Sequence, residues 1–212
     1  MRAVVVAGSR PVVELDAASV VEADLIVAVD GGAQALVGMG IIPALLVGDM
    51  DSIDPATRRW LEHRGVEVLL LPTAKNETDT EVAMRLAVDR GAGEITVYGA
   101  LGGPRFDHFI GNLLLLTSPW LEGVRVRLVD ELHEIFLVKG EAEVAGAPGD
   151  IVSLLALTPE VDEVVTEGLL YPLRGETLLQ SSTRGVSNMM VDTRARVSHG
   201  KGTLLLFHYR DK

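Results

Sequence analysis

Short apolar runs alternate with polar, glycine-marked turns along the first 130 residues. Ala3–Ala7, Leu25–Val29, Leu45–Val47, Glu67–Leu71, Glu94–Ala100 and Arg125–Asp130 have the length and β-branched content of strands buried in a parallel sheet. The stretches between them carry helix signals. Asp54-Pro55 supplies a cap and a first-turn proline, and Gly65 supplies a stop after about Arg64. Thr78-Asp79-Thr80-Glu81 has the spacing of a capping box, and the helix it opens runs to about Arg90 before Gly91. A further helix spans about Asp107 to Thr117, with His108 and Asn112 on one face. Residues 11–23 read as a loop or a short helix.

After about Asp130 the pattern changes. Ile135–Val138, Ile151–Leu157, Glu163–Thr166, Val191–Val197 and Thr203–Tyr209 are short and β-like, and glycine, proline and charged turns punctuate them. Residues 191–198 alternate, which places Val191, Ala195 and Val197 on one face. The fold class expected is an α/β N-terminal domain with a mostly parallel sheet flanked by helices, followed by a C-terminal all-β domain, a sandwich or a barrel. The domains expected are 1–133 and 134–212.

Carboxylates fall where the strands of the first half end. Leu45–Val47 stops at Gly48 and is followed at once by Asp49-Met50-Asp51. In an extended backbone the two acids would share a face, with attachment points about 7 Å apart. That spacing suits a hard divalent cation such as Mg²⁺, which takes oxygen ligands. Alone, it equally suits a solvated turn that caps the next helix. Asp30 follows Leu25–Val29, Asp79 opens a helix on its core-facing side, and Asp107 follows the Glu94–Ala100 strand. Open parallel sheets bind ligands beyond the carboxyl ends of their strands, so these acids converge on one edge. Asp30-Gly31-Gly32 also lies at a strand-to-helix turn, where backbone amides can approach a phosphate.

Charge and composition sharpen this picture. A net charge of −11 argues against a nucleic-acid surface and requires a metal if the substrate is a polyphosphate. The absence of cysteine removes disulfides, zinc–thiolate sites and thiol nucleophiles. No leader precedes the first strand, and no apolar run approaches the roughly 20 residues of a membrane span, so a cytoplasmic location is expected. His63, His133, His199 and His208 show no metal-ligand spacing and read as surface or packing residues. Tyr171 offers a stacking face, and Ser187 and Asn188 offer polar edges.

Together these pieces resemble the thiamine pyrophosphokinase family. The resemblance rests on Asp30-Gly31-Gly32-Ala33, Gly48-Asp49-Met50-Asp51-Ser52, Thr78-Asp79-Thr80-Glu81, Gly99-Ala100-Leu101-Gly102-Gly103, Asp107-His108 and Gly111-Asn112-Leu113. It continues through Gly168-Leu169-Leu170-Tyr171-Pro172-Leu173 and Gly185-Val186-Ser187-Asn188. It implies transfer of pyrophosphate from ATP to the hydroxyl of thiamine, giving thiamine diphosphate and AMP, with Mg²⁺ as cofactor and a C-terminal β-sandwich. It implies catalytic roles for Asp49, Asp51, Asp79 and Asp107, with Asp49, Asp51 and Asp79 as metal ligands. Asp30, Gly31, Gly32, Lys75, Thr78, Arg105, His108 and Asn112 would bind ATP, and Tyr171, Ser187 and Asn188 would bind thiamine. Asp79 and Asp107 are the two candidates for the base. The family also implies a homodimer with active sites shared between chains. In the family pattern the arginine follows the glycine pair directly; here Pro104 stands between Gly103 and Arg105. The alternatives are a pyrophosphokinase acting on another heteroaromatic alcohol, such as a hydroxymethylpterin, and a non-catalytic thiamine or nucleotide sensor. Four acids at the strand ends argue for the enzyme.

Overall fold

The computed structural model describes residues 1–8 and 15–210. The chain divides into two compact units, Met1–Glu131 and Leu132–Lys212. Of the stretch read as a loop or short helix, residues 11–14 lie outside the described residues, as does Ser9. The remainder holds a one-turn helix, α1 (Ala17–Val21), which Asp16 caps by accepting from the Ala18 and Ser19 amides.

The N-terminal unit is a parallel sheet of β1 (Arg2–Val6), β2 (Leu25–Val29), β3 (Leu45–Gly48), β4 (Glu67–Leu70), β5 (Glu94–Tyr98) and β6 (Arg125–Val129). The strand order is β6-β5-β1-β2-β3-β4, so the chain builds outward from β1 on one side and then returns to its other side. That reversal is the switch point at which such sheets bind ligands. The helices are α2 (Gly32–Gly38), α3 (Pro55–Glu62), α4 (Asp79–Asp89) and α5 (Phe106–Leu115). Strand alternation gives the sheet two apolar faces. Val4, Val6, Ala28 and Leu46 pack with Val20 of α1, Leu36 of α2 and Leu61 of α3. Val5, Val27, Leu45 and Val47 are fully buried on the opposite face, where α4 packs against β1, β2 and β3. The caps act as their residue types predict. The Asp54 carboxylate accepts from the Thr57 amide, and the Thr78 hydroxyl accepts from the Glu81 amide.

The C-terminal unit is an antiparallel β-sandwich. One sheet has the order β12 (Asn188–Met189), β9 (Ile151–Ala156), β14 (Leu204–Tyr209), β7 (His133–Val138). The other has the order β11 (Arg174–Leu179), β10 (Glu160–Glu167), β13 (Arg194–Ser198), β8 (Glu141–Ala145). Val152, Leu154, Leu204 and Leu206 of the first sheet meet Val161, Val164, Ala195 and Val197 of the second in one core. Three strands escape the sequence pattern. β8 reads Glu-Ala-Glu-Val-Ala and β11 reads Arg-Gly-Glu-Thr-Leu-Leu, with one wholly buried residue each, while β12 has only two residues. Val191 does not join Ala195 and Val197; it precedes β13 and is 51% exposed.

Candidate active site

The site is built on Gly48. β3 stops there, at φ 148°, and a Cβ at this position would lie 1.8 Å from the Asp30 carboxylate. Only glycine lets β3 end against the acid that follows β2. Asp49-Met50-Asp51 is therefore a turn and not a continuation of the strand, and Met50 has a left-handed backbone at φ 66°. The Met50 amide donates to Asp30 Oδ1 at 3.0 Å, and the Asp51 amide donates to Asp49 Oδ1 at 3.1 Å. Asp49 and Asp51 are brought together by this turn, whereas the sequence reading assigned their convergence to strand alternation.

Asp30, Asp49 and Asp51 each offer an oxygen, and these oxygens lie within 4.8 Å of one another. Asp30 is 7% exposed. Burial, and then the neighbouring charges of Asp79, Asp49 and Asp51, raise its pKa to about 6 against the opposing Met50 amide. A hard divalent cation fits this donor set, because it takes oxygen ligands and relieves the repulsion among three acids. The family resemblance implies Asp79 with Asp49 and Asp51 as metal ligands and assigns Asp30 to ATP. The geometric triangle contains Asp30. Its signal in the sequence is the pair Asp30-Gly31 and Gly48-Asp49, a glycine lying opposite an acid, which needs the β2–β3 register to be read.

Around the triangle lies a pocket of about 420 Å³ over the carboxyl ends of β1, β2, β3 and β5. Asp79, Thr78, Arg105, His108 and Asn112 line it together with the three acids. Asp79 comes from the first turn of α4, and its Oδ1 lies 2.9 Å from Lys75 Nζ. The ammonium donates its hydrogen bond to the Pro72 carbonyl and meets Asp79 as an ion pair, and Lys75 is not among the lining residues. Asn112 Nδ2 donates to the Ala100 carbonyl at 3.0 Å, tying α5 to the turn after β5. Gly31 and Gly32 stand behind the lining; a Cβ at Gly32 would lie 2.0 Å from the Val6 carbonyl oxygen, so this glycine serves close packing.

Asp107 is exposed and is not part of the lining. Its carboxylate takes a two-point contact from Arg105, with Nε to Oδ1 at 2.9 Å and Nη2 to Oδ2 at 2.5 Å. That guanidinium holds the Asp107 carboxyl down at about 2. Of the four acids expected to be catalytic, the pocket gathers Asp49, Asp51 and Asp79.

The three residues expected at thiamine lie in the C-terminal unit. Tyr171 is 60% exposed. Asn188 is buried, and its side chain is committed to the backbone of Tyr171: Oδ1 accepts from the Tyr171 amide at 3.0 Å and Nδ2 donates to its carbonyl at 2.7 Å. Asn188 therefore holds Tyr171 in place. Ser187 is exposed, with φ 59°, and its amide donates to Ser153 Oγ.

Carboxylates gathered at the switch point of a parallel sheet put the ligand site of an α/β protein in this pocket, with a donor set suited to a hard cation. Comparison with known proteins narrows the class. The model of the thiamin pyrophosphokinase catalytic domain matches residues 18–128, and that of the thiamin pyrophosphokinase vitamin B1 binding domain matches residues 133–204. The thiamine pyrophosphokinase of Bacillus subtilis (strain 168) is 30% identical over 192 residues, which cover 90% of this chain and 89% of that protein. A crystal structure of thiamine pyrophosphokinase from Bacillus subtilis matches with a TM-score of 0.90 at 28% identity, over the full length of both chains. That of a thiamin pyrophosphokinase family protein from Enterococcus faecalis matches with a TM-score of 0.86 at 27% identity, again over both full lengths. The chain belongs to the thiamin pyrophosphokinase family and is thereby an ATP-dependent diphosphotransferase. Among the described residues, no helix is long and apolar enough to cross a membrane.

Proposed function

We propose that this chain transfers the pyrophosphoryl group of ATP to the hydroxyl of thiamine in the acidic pocket of its N-terminal unit. The observation that carries the assignment to this pocket is the triangle of Asp30, Asp49 and Asp51. Mg²⁺ held by these three acids would neutralise the polyphosphate and stabilise the charge that develops on it. The protein's own share is positioning and charge, since phosphoryl transfer leaves little covalent work to side chains. Arg105 and His108 supply donors to the phosphates from another part of the lining. Asp79 lies within the pocket and accepts the proton of the thiamine hydroxyl as its oxygen bonds to the β-phosphorus. The bond from that phosphorus to the α–β bridging oxygen breaks, and AMP leaves with the oxygen. Lys75 fixes the direction of the Asp79 carboxylate. Tyr171 stacks on a ring of thiamine, Ser187 meets its polar edge, and Asn188 holds Tyr171.

The working form is a homodimer. Phe106, Ile110 and Leu114 recur at four-residue spacing on α5 and are 77%, 51% and 55% exposed. An apolar stripe of this kind is costly to leave in water and fits a second copy. In that dimer the acidic pocket of one chain is completed by the Tyr171 segment of the other.

Incubation with ATP, Mg²⁺ and thiamine, followed by nucleotide chromatography, tests the reaction. AMP and thiamine diphosphate in equal amounts are expected. ADP with thiamine monophosphate would overturn pyrophosphoryl transfer, and turnover of a hydroxymethylpterin in place of thiamine would overturn the substrate.

A further inference from the structure

The C-terminal unit contains a buried charged cluster that the reaction above does not use. His208 of β14 is fully buried, and Glu134 and Asp150 beside it are 9% and 5% exposed. His208 Nε2 lies 2.9 Å from Asp150 Oδ2, and Nδ1 lies 4.0 Å from Glu134 Oε2. The first contact is a hydrogen bond; the second is within reach of charge attraction only. Every neighbouring element contributes a defined group. β7 brings Glu134 opposite His208, β9 brings the apolar Val152, and the 146–150 turn brings Asp150. Arg210, further along the chain, sits 3.7 Å from Glu134. Glu134 first, and Asp150 with it, hold the imidazole above its ordinary pKa, against burial and the Arg210 charge.

This cluster is fastened to the Tyr171 segment by a continuous series of contacts. Asp150 Oδ2 also accepts from the Ala147 amide at 3.0 Å. Gly146 packs onto the pair so closely that a Cβ there would lie 2.5 Å from Asp150 Oδ2 and 3.0 Å from both His208 Nε2 and Met190 Sδ. The Asp150 carbonyl accepts from the Met190 amide at 2.8 Å, and the Met190 carbonyl accepts from the Gly149 amide at 3.0 Å. One residue back, the Met189 carbonyl accepts from the Leu170 amide at 2.8 Å, and one residue on, the Val191 amide donates to the Gly168 carbonyl at 2.9 Å. Asn188 then grips Tyr171 from both sides. The exposed Tyr171 ring is thus carried on a segment whose anchor, two strands away, is the Asp150–His208 pair.

We infer that His208 is a positioning residue for the Tyr171 segment, and that its cationic form, clamped between Asp150 and Glu134, sets the affinity of the enzyme for its cationic heteroaromatic substrate. The inference rests on the assignment of Tyr171 to thiamine. A buried imidazolium is hydrogen-bonded to Asp150 and attracted to Glu134; when it loses its proton, the positive charge held against Asp150 is gone and the 146–150 turn loosens. Because the folded protein raises the pKa of His208, the stabilisation is complete below the unfolded value of about 6.5 and disappears as pH rises through the higher folded value.

The test uses the full-length enzyme and its His208→Gln variant, which retains a donor toward Asp150 and removes the charge. Amide hydrogen exchange, corrected for intrinsic rates, should become about tenfold faster at residues 168–171 and 188–191 in the variant, with β1 to β3 unchanged. The KM for thiamine should rise about tenfold while the KM for ATP stays within about twofold. Between about pH 6 and about pH 8.5 the thiamine KM of the wild type should climb, and that of the variant should be high and flat. Unchanged exchange at 168–171 in a folded variant would overturn the positioning role. Equal rises in both KM values would overturn it in favour of general destabilisation. Faster exchange with an unchanged thiamine KM would leave the mechanical link standing and overturn the assignment of Tyr171 to thiamine. If His208→Gln does not fold, Asp150→Asn, which keeps an acceptor for the Ala147 amide, takes its place with the same expected exchange. A wild-type thiamine KM that does not move over this pH range would then overturn the inference.

Discussion

The Met50 amide donates to the Asp30 carboxylate at 3.0 Å, and both residues hold left-handed backbones, with φ of 66° and 41°. Each such conformation costs on the order of 1 kcal/mol for a residue with a side chain. A carboxylate that follows β2 thus sets the turn that carries Asp49 and Asp51, 20 residues later in the chain. Two substitutions separate its mechanical part from its charge. Asp30→Asn keeps an acceptor for Met50 and removes a charge that burial disfavours, so without Mg²⁺ at neutral pH its urea midpoint should lie above that of the wild type, yet it should require more Mg²⁺ for half-maximal activity. Asp30→Ala removes the acceptor as well and should lose about 1–3 kcal/mol of stability in urea titration. An unchanged Mg²⁺ requirement in Asp30→Asn would remove Asp30 from the ion.

Asp51 is exposed and contributes to the same triangle. Asp51→Asn preserves shape and removes one ligand charge, so its thermal midpoint should match the wild type. Turnover should fall about a hundredfold or more, because a held metal ion is worth several kcal/mol to such a reaction. Near-normal turnover at saturating Mg²⁺ would return Asp51 to a turn role.

Asp107 and Arg105 form a two-point pair in which both side chains are mostly exposed, 64% and 65% respectively. Pairs of this kind add little to stability, so Asp107→Asn should unfold like the wild type. Its effect should appear through Arg105, which loses its fixed direction: the KM for ATP rises several-fold and kcat falls less. A collapse of kcat comparable to that of Asp51→Asn would make Asp107 a catalytic acid in its own right and the better candidate for the base.

Ile110 sits at the centre of the exposed stripe of α5, 51% exposed between Phe106 and Leu114. Ile110→Asp places a charge in the proposed contact between copies and leaves no core residue disturbed, since α5 has no fully buried side chain. Sedimentation should show the wild type as a dimer and the variant shifted to monomer at micromolar concentration. Activity should fall with the dimer fraction if sites are shared. A dimer that survives the substitution would place the contact elsewhere.

The strands of the N-terminal unit could be read from the sequence, because a strand buried in the sheet is a run of apolar residues and its end is marked by glycine or aspartate, or by Pro72 after the more exposed β4. The caps at Asp54 and Thr78 were legible for the same reason: their hydrogen bonds reach only three residues along the chain. Those local rules also placed Asp30, Asp49, Asp51, Asp79 and Asp107 at one edge of the sheet, of which Asp107 stands outside the pocket lining. They could not say which acids meet. That depends on the β2–β3 register and on the missing Cβ of Gly48, which bring Asp30 and not Asp79 into the triangle with Asp49 and Asp51. Nor could they show that Asn188 spends its amide on Tyr171, or that His208 lies between Asp150 and Glu134, since those partners come from strands and turns distant in sequence. The hydrophobic pattern of this chain determines its elements, because burial acts on each residue through its nearest neighbours. The pairing of its charges belongs to the tertiary structure, because attraction and desolvation depend on which side chains the sheet order brings within a few ångströms of one another.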